Sequence, residues 1–160
     1  TGRVGVIGTA ATIRSGAYEK YLHKKDGTLD LFTQACPLFV PLVENGRVHR
    51  GDVVIETIVK EYLTPLKDAG VDTLILGCTH YPLFAAALAD YFSGKVRILD
   101  SATACAAYTA RFLEEQKMAA RPDNSPSFGC FVTDLPGEFH RHATRFLGAP
   151  PGRVERISLT

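Results

Sequence analysis

Short apolar runs and longer segments of helical periodicity alternate along most of the chain. The apolar runs predict β-strands over residues 4–7, 29–33, 73–76, 96–99, 128–133 and 154–159. Apolar residues at helical spacing, together with capping residues, predict helices over residues 9–24, 52–69, 82–91, 103–118 and 136–147. This order is typical of an α/β fold in which a mostly parallel open sheet, joined by right-handed crossovers, is flanked by helices.

Two connections between these elements carry distinctive residues. Pro37 and Pro41 predict that residues 36–45 form a loop rather than a helix. The buried strand at 73–76 is followed by residues 77–80 (GCTH), which predict a turn before the next helix. Open α/β sheets bind their ligands at the carboxyl ends of strands, so we expect a functional site at this turn.

The composition is that of an ordinary globular protein of one compact domain or two small lobes. The 160 residues are 46% hydrophobic and 22% charged, and 18 Lys and Arg against 17 Asp and Glu give a formal net charge of +1. Such a balanced surface argues against binding to nucleic acid or to a membrane surface. No apolar stretch approaches the roughly 20 residues that span a bilayer.

Four widely spaced cysteines and the lack of a signal peptide predict a reducing, cytoplasmic environment. Cys36 precedes a proline and has no acid or base beside it, so we interpret it as structural. Cys105 falls in a predicted helix and Cys130 in a predicted strand, which indicates core positions for both.

Cys78 has the surroundings of an acid/base group. A thiol transfers protons as a base only when it is ionised, and an isolated thiol is mostly protonated at neutral pH. The predicted strand-to-helix turn favours an anion through its backbone N–H groups, and His80 lies two residues away. Thr79 adds a hydroxyl and an N–H that can bind a carboxylate.

Other interpretations of these residues stay open at this point. Cys78 can be an ordinary core cysteine, and His80 a buried histidine with its hydrogen bonds satisfied. A Cys-x-His pair can bind zinc, but no second pair lies nearby in the sequence, so no metal is expected. A Cys-His hydrolase would need a third, orienting residue and an oxyanion hole.

Three further polar residues are candidates with an equally simple structural explanation. Thr9 and Thr12 flank the turn after the first strand, where each can bind a carboxylate or cap the helix. Glu44 can be a charge in solvent.

Four segments together resemble glutamate racemases, within the aspartate/glutamate racemase superfamily. They are VGVIGTAATIRSGAY (4–18), QACPLFVPLVENG (34–46), LGCTHYPLF (76–84) and ILDSA (98–102). The motif LGCTHYP is shared with aspartate/glutamate relatives, whereas the preceding CPLFVPLVE segment favours the glutamate branch. The resemblance covers most of the chain.

The resemblance implies a two-base reaction without metal or pyridoxal, in which glutamate is the small-molecule substrate and D-glutamate is supplied for peptidoglycan. Cys78 matches the second catalytic cysteine, which acts on L-glutamate, and His80 assists its proton transfer. Glu44 matches an acidic residue near that histidine. Thr79 is implied to bind the substrate, and Thr9 and Thr12 to line the same pocket.

The family's segment with the first catalytic cysteine has no counterpart here, and Cys36 does not match it. We therefore expect residues 1–99 to form the α/β lobe that carries the second cysteine, and residues 100–160 to belong to the other lobe, whose first half is missing. The chain alone is expected to be inactive.

Two other functions fit the same residues. One is a non-catalytic amino-acid-binding or interaction module, and the other is a racemase for aspartate or another acidic amino acid. A homodimer is compatible with either function.

Overall fold

The computed structural model describes residues 1–121, 123–125 and 127–159, which form two compact units, Thr1–Glu115 and Gln116–Thr160. The first unit holds four strands and six α-helices, and the described part of the second holds two strands and one helix. The expected lobe boundary near residue 99 concerns a larger two-lobed enzyme and stays a prediction. Among the described residues, no helix is long and apolar enough to cross a membrane.

The first unit is built on a four-stranded parallel sheet, which confirms the predicted fold class. Its strands are β1 (Arg3–Gly8), β2 (Asp30–Ala35), β3 (Thr73–Leu76) and β4 (Arg97–Asp100). They lie in the order β2-β1-β3-β4, with every neighbouring pair parallel. The chain leaves β1 toward β2 on one side and later returns as β3 on the other. The strand order therefore reverses between β1 and β3, and a crevice at their carboxyl ends is the usual ligand position in such sheets.

The helices of the first unit follow the predicted order, with local differences. They are α1 (Ala10–Arg14), α2 (Ala17–Lys25), α3 (Phe39–Glu44), α4 (Val53–Asp68), α5 (Ala85–Tyr91) and α6 (Ser101–Glu115). The single helix predicted over 9–24 is wrong, because Gly16 adopts a left-handed conformation with φ of 60° and separates α1 from α2. The helix predicted over 82–91 begins as a 3₁₀ turn at Tyr81–Phe84.

The loop predicted over residues 36–45 is also wrong, because it contains α3. Pro41 is the third residue of this helix. The N–H groups of a first helical turn have no partner within the helix, so a proline there removes no helical hydrogen bond. Glu44 consequently lies at the end of a short helix instead of in a loop.

The core joins one face of the sheet to α3, α4, α5 and the 3₁₀ turn. Phe39 is fully buried, and its ring centroid lies 5.2 Å from that of Tyr81 and 4.9 Å from that of Phe84. Burying a large apolar side chain contributes roughly 1.5–3 kcal/mol, so this aromatic cluster is a substantial stabilising contact between α3 and the 3₁₀ turn.

The second unit is a small β-α-β arrangement. Strands β5 (Cys130–Val132) and β6 (Val154–Arg156) are parallel, and α7 (Pro136–Leu147) connects them. Both strands are shorter than predicted, and α7 has its predicted bounds.

Gly77 provides a test of how closely β3 must approach β1. A Cβ atom at Gly77 would lie 2.8 Å from the Ile7 carbonyl oxygen, which is backbone and cannot swing aside. We predict that Gly77→Ala destabilises the protein by about 1–3 kcal/mol, the usual cost of overpacking. Urea unfolding measures this difference.

Gly27→Ala is the matched control in the same unit. The nearest atom to its added Cβ would be 3.8 Å away, which is ordinary contact. The control should change the free energy of unfolding by less than about 0.5 kcal/mol. Equal stabilities of the two variants would contradict the close approach at Gly77.

Candidate active site

The site forms where β1 and β3 end side by side. Ile7 pairs with Leu76, and Thr9 and Cys78 each follow two residues beyond that pair. The Gly77 N–H donates to the Ile7 carbonyl at 2.7 Å, which ties the two turns together. The sheet register thus brings two of the sequence-predicted residues to one edge.

Cys78 lies in the turn between β3 and the 3₁₀ segment. Its thiol is free and its side chain is half-buried against the core. The Tyr81 N–H donates to the Cys78 carbonyl at 3.2 Å, so the turn closes directly into the following helical segment. The cysteine is held by backbone hydrogen bonds yet still reaches the surface.

His80 connects Thr79 to Glu44. The Thr79 hydroxyl lies 3.3 Å from His80 Nδ1, and Glu44 Oε1 lies 3.5 Å from His80 Nε2. The His80 side chain is 25% exposed and that of Glu44 is 49% exposed, so both can meet a solute. A carboxylate beside one imidazole nitrogen orients the ring, and the imidazole can pass protons between its two nitrogens' partners. Thr79 and His80, which are adjacent in the sequence, therefore form one polar cluster with the distant Glu44.

Thr9 and Thr12 lie together after β1. Their hydroxyl oxygens are 3.0 Å apart, and the Thr12 N–H donates to the Thr9 hydroxyl at 3.3 Å. Thr9 is thus the N-cap of α1, as its simpler interpretation required. Both side chains are half-buried, and their contact with a substrate stays a prediction.

Comparison with known proteins assigns this arrangement to a family. Residues 1–109 match the family model described as Asp/Glu/Hydantoin racemase. The chain belongs to the Asp/Glu/hydantoin racemase family. The family resemblance of the sequence is confirmed.

Within this family, the chain is similar to several glutamate racemases. It is 41% identical over 159 residues to the glutamate racemase of Geobacter metallireducens, covering 99% of this chain and 58% of that protein. It also superposes on the crystal structure of the Francisella tularensis glutamate racemase in complex with D-glutamate, with a TM-score of 0.88 and 33% identity. A glutamate racemase isoform from Bacillus anthracis gives a TM-score of 0.87 and 36% identity.

The matches cover nearly all of this chain but only part of each relative. Both superpositions cover 99% of this chain and 58% of the solved chain. The chain therefore spans somewhat more than half the length of the racemases that it matches.

Tyr81 is a site-supporting residue that the sequence interpretation of this family member missed. It is completely buried, and its hydroxyl donates to the Cys36 carbonyl at 2.9 Å. Burial raises the Tyr81 pKa above its usual range. Only its place directly after His80 could have indicated it, because its partner lies 45 residues away.

A cavity lies elsewhere in the racemase-family unit, away from these residues. It has a volume of about 310 Å³ and lies between α4, α5 and the loop before α4. Its walls include Ile55, Val59, Ala87 and Tyr91, and none of the six candidate residues lines it. Within the described part of the chain, no group of three or more His, Cys, Asp or Glu side chains is arranged to hold a metal ion.

Cys36 lies beneath the site as a structural thiol. Its side chain is 0% exposed, its N–H donates to the Gly8 carbonyl at 2.9 Å, and burial raises its pKa to about 12. The thiol therefore stays protonated across the range in which proton-transfer cysteines work.

Because the pKa of Cys36 is raised, the free energy of unfolding of the protein changes with pH in the alkaline range. Above about pH 9 the unfolded chain ionises this thiol while the native chain keeps it protonated, so the unfolded state binds fewer protons and stability falls as pH rises. We expect Cys36 to account for a loss of about 1 kcal/mol between pH 9 and pH 10. Urea unfolding at both pH values measures it.

In Cys36→Ala this part of the decline should disappear, whatever the variant's stability at pH 7. Cys105→Ala is the matched control and should decline like the wild type, because the core position predicted for Cys105 is wrong and its side chain is exposed. An unchanged decline in Cys36→Ala would refute the assignment of the effect to Cys36.

Proposed function

We propose that this chain carries one of the two bases of a cofactor-independent glutamate racemase. The observation that supports the proposal most is the cluster of Thr79, His80 and Glu44, with Glu44 3.5 Å from the imidazole, which directly follows Cys78 in the chain. This cluster lies next to the β1–β3 reversal of a racemase-family sheet. An accessible thiol and an oriented imidazole are groups that can transfer protons to and from carbon.

The proposed step removes the α-proton of L-glutamate. The Cys78 thiolate accepts that proton, and the electron pair of the broken C–H bond stays on the substrate as a carbanion. A thiol on the opposite face then donates its proton to the same carbon, which gives D-glutamate. His80, oriented by Glu44, takes part in the protonation and deprotonation of Cys78. Hydrogen-bond donors around the substrate, with Thr79 foremost, lower the energy of the carbanion.

The second thiol is not one of the other three cysteines in this proposal. Cys36 is buried and its pKa is raised to about 12. Cys105 lies on the exposed helix α6, and Cys130 lies in β5 of the second unit. We propose that the opposite base belongs to the part of the relatives that this chain does not match.

The substrate assignment draws on the relatives. The Francisella tularensis enzyme was solved in complex with D-glutamate, and the Geobacter metallireducens relative is a glutamate racemase. We propose glutamate as substrate, the cytoplasm as location and supply of D-glutamate for peptidoglycan as role. Assembly into a homodimer stays a prediction.

A chimera tests the reaction. The part of the Geobacter metallireducens enzyme that this chain does not match is joined to the chain, and circular dichroism follows L- and D-glutamate. We predict interconversion by the chimera and none by the isolated chain, because protons must reach both faces of the carbon. Cys78→Ala should lower the chimera's rate by about 10³-fold or more.

Cys105→Ala is the matched control of the chimera and should leave the rate unchanged. A chimera that folds but has no activity, or a Cys78→Ala chimera with full activity, would refute the proposed role. Aspartate as a second substrate measures the alternative specificity, and faster turnover of aspartate than of glutamate would favour it.

The second candidate function is an amino-acid-binding module without thiol chemistry, which the accessible Thr79 also fits. Alkylation of the isolated chain distinguishes the two. A proton-transfer Cys78 should react with iodoacetamide at pH 7 several-fold faster than Cys105, which is exposed on α6. Mass spectrometry of tryptic peptides measures each rate.

Cys36 is the internal control of that measurement, since burial should leave it unreacted in the folded chain. A Cys78 rate equal to or below that of Cys105 would favour the binding module.

A further inference from the structure

Tyr18 lies against the backbone that immediately precedes Cys78. A Cβ atom at Gly77 would be 3.0 Å from Tyr18 Cε2 and 3.3 Å from Tyr18 Cζ. The outer half of the tyrosine ring therefore rests on the Cα of Gly77. The nearest atom to that Cβ position is the Ile7 carbonyl oxygen at 2.8 Å, and the next two both belong to the Tyr18 ring.

The break between α1 and α2 brings Tyr18 to this place. Gly16, in its left-handed conformation, accepts from the Lys20 N–H at 3.0 Å and so starts α2 in a new direction. Glu19 Oε1 accepts a hydrogen bond of 3.4 Å from the Thr33 hydroxyl of β2. The first turn of α2 is therefore attached to the sheet, and the half-buried Tyr18 with it.

Gly77 is thus held on two sides. Its N–H is hydrogen-bonded to Ile7 of β1, and its Cα is covered by the Tyr18 ring. Glycine has the greatest backbone freedom of any residue, so the direction in which the next residue leaves depends on such external contacts. A displacement of about 1 Å at a reacting group can cost on the order of 10²-fold in rate.

We propose that Tyr18 is a positioning residue for Cys78. Its ring packs on Gly77 and keeps the thiol in the orientation that the proposed proton transfer needs. The contact is made by Cε2 and Cζ, so the aromatic ring is needed and the hydroxyl is not. This inference rests on the proposed function of Cys78 as a proton-transfer thiol.

The test measures alkylation of Cys78 in the isolated chain by iodoacetamide at pH 7 and at pH 10. The quotient of the two rates reports how far the thiol is activated at neutral pH, and changes in access cancel because they affect both rates. An ordinary thiol gives a quotient of roughly 0.03. Cys105 of the same molecule serves as the internal reference.

We expect the Cys78 quotient of the wild type to exceed that of Cys105, and Tyr18→Ala to lower it at least about threefold, toward the ordinary value. Tyr18→Phe should restore the wild-type quotient, because it keeps both contacting ring atoms. Tyr21→Ala is the matched control on the same helix. Tyr21 is 61% exposed, so this variant should leave the quotient unchanged.

Tyr18→Leu provides a second route if the alanine variant does not fold. Leucine fills the inner part of the site but does not reach the positions of Cε2 and Cζ, so it should lower the quotient as alanine does.

The two proposals fail in different ways. A wild-type Cys78 quotient no higher than that of Cys105 would overturn the activated thiol itself, and the role of Tyr18 with it. A raised wild-type quotient that persists in folded Tyr18→Ala or Tyr18→Leu would overturn the role of Tyr18 alone. A Tyr18→Phe quotient as low as that of alanine would overturn positioning by the ring, because the hydroxyl would then be the active group.

Discussion

The approach of β3 to β1 at Gly77 is the constraint on which the site depends. Two parallel strands continue their hydrogen bonding one residue beyond β3, through the 2.7 Å bond from the Gly77 N–H to the Ile7 carbonyl. A side chain at this position would meet that carbonyl, so the approach is available only to glycine. Because Cys78 follows directly, the position of the thiol is determined by the sheet rather than by a flexible loop.

His80 is supported by a different part of the core. Its neighbour Tyr81 is buried against Phe39 and bonded to the Cys36 carbonyl, and Phe39 begins the helix that ends at Glu44. The aromatic packing therefore fixes the imidazole and its carboxylate relative to each other. Cys78 and His80 are two residues apart in sequence, yet one is held by the sheet and the other by the aromatic cluster. Such separate supports hold the two proposed reacting groups in register.

The sequence predicts the fold well because its signals are local. Apolar runs and capping residues give the order of the strands and of most helices, and parallel pairing follows from their alternation. The errors arise where local signals conflict with packing. Pro41 indicates a loop, but the burial of Phe39 and Val43 stabilises a short helix around it. Gly16 ends a helix that the cap at Thr9 begins, and the sequence pattern does not show where the chain turns.

For the candidate site, motif reasoning finds the residues that carry reactive groups but not those that hold them. The residues with reactive groups are contiguous in the sequence, namely Cys78, Thr79 and His80. Their residue types alone indicate their chemistry. Tyr18 and Tyr81 act through ring packing and a hydrogen bond to backbone 45 or more residues away, and tyrosines of this kind occur throughout ordinary cores. Pairing of strands that are distant in sequence creates these contacts, so only the folded structure reveals them. In the proposed function, the thiol must be both exposed to substrate and held in one orientation. Burial would prevent the first, whereas packing on the glycine before it allows both.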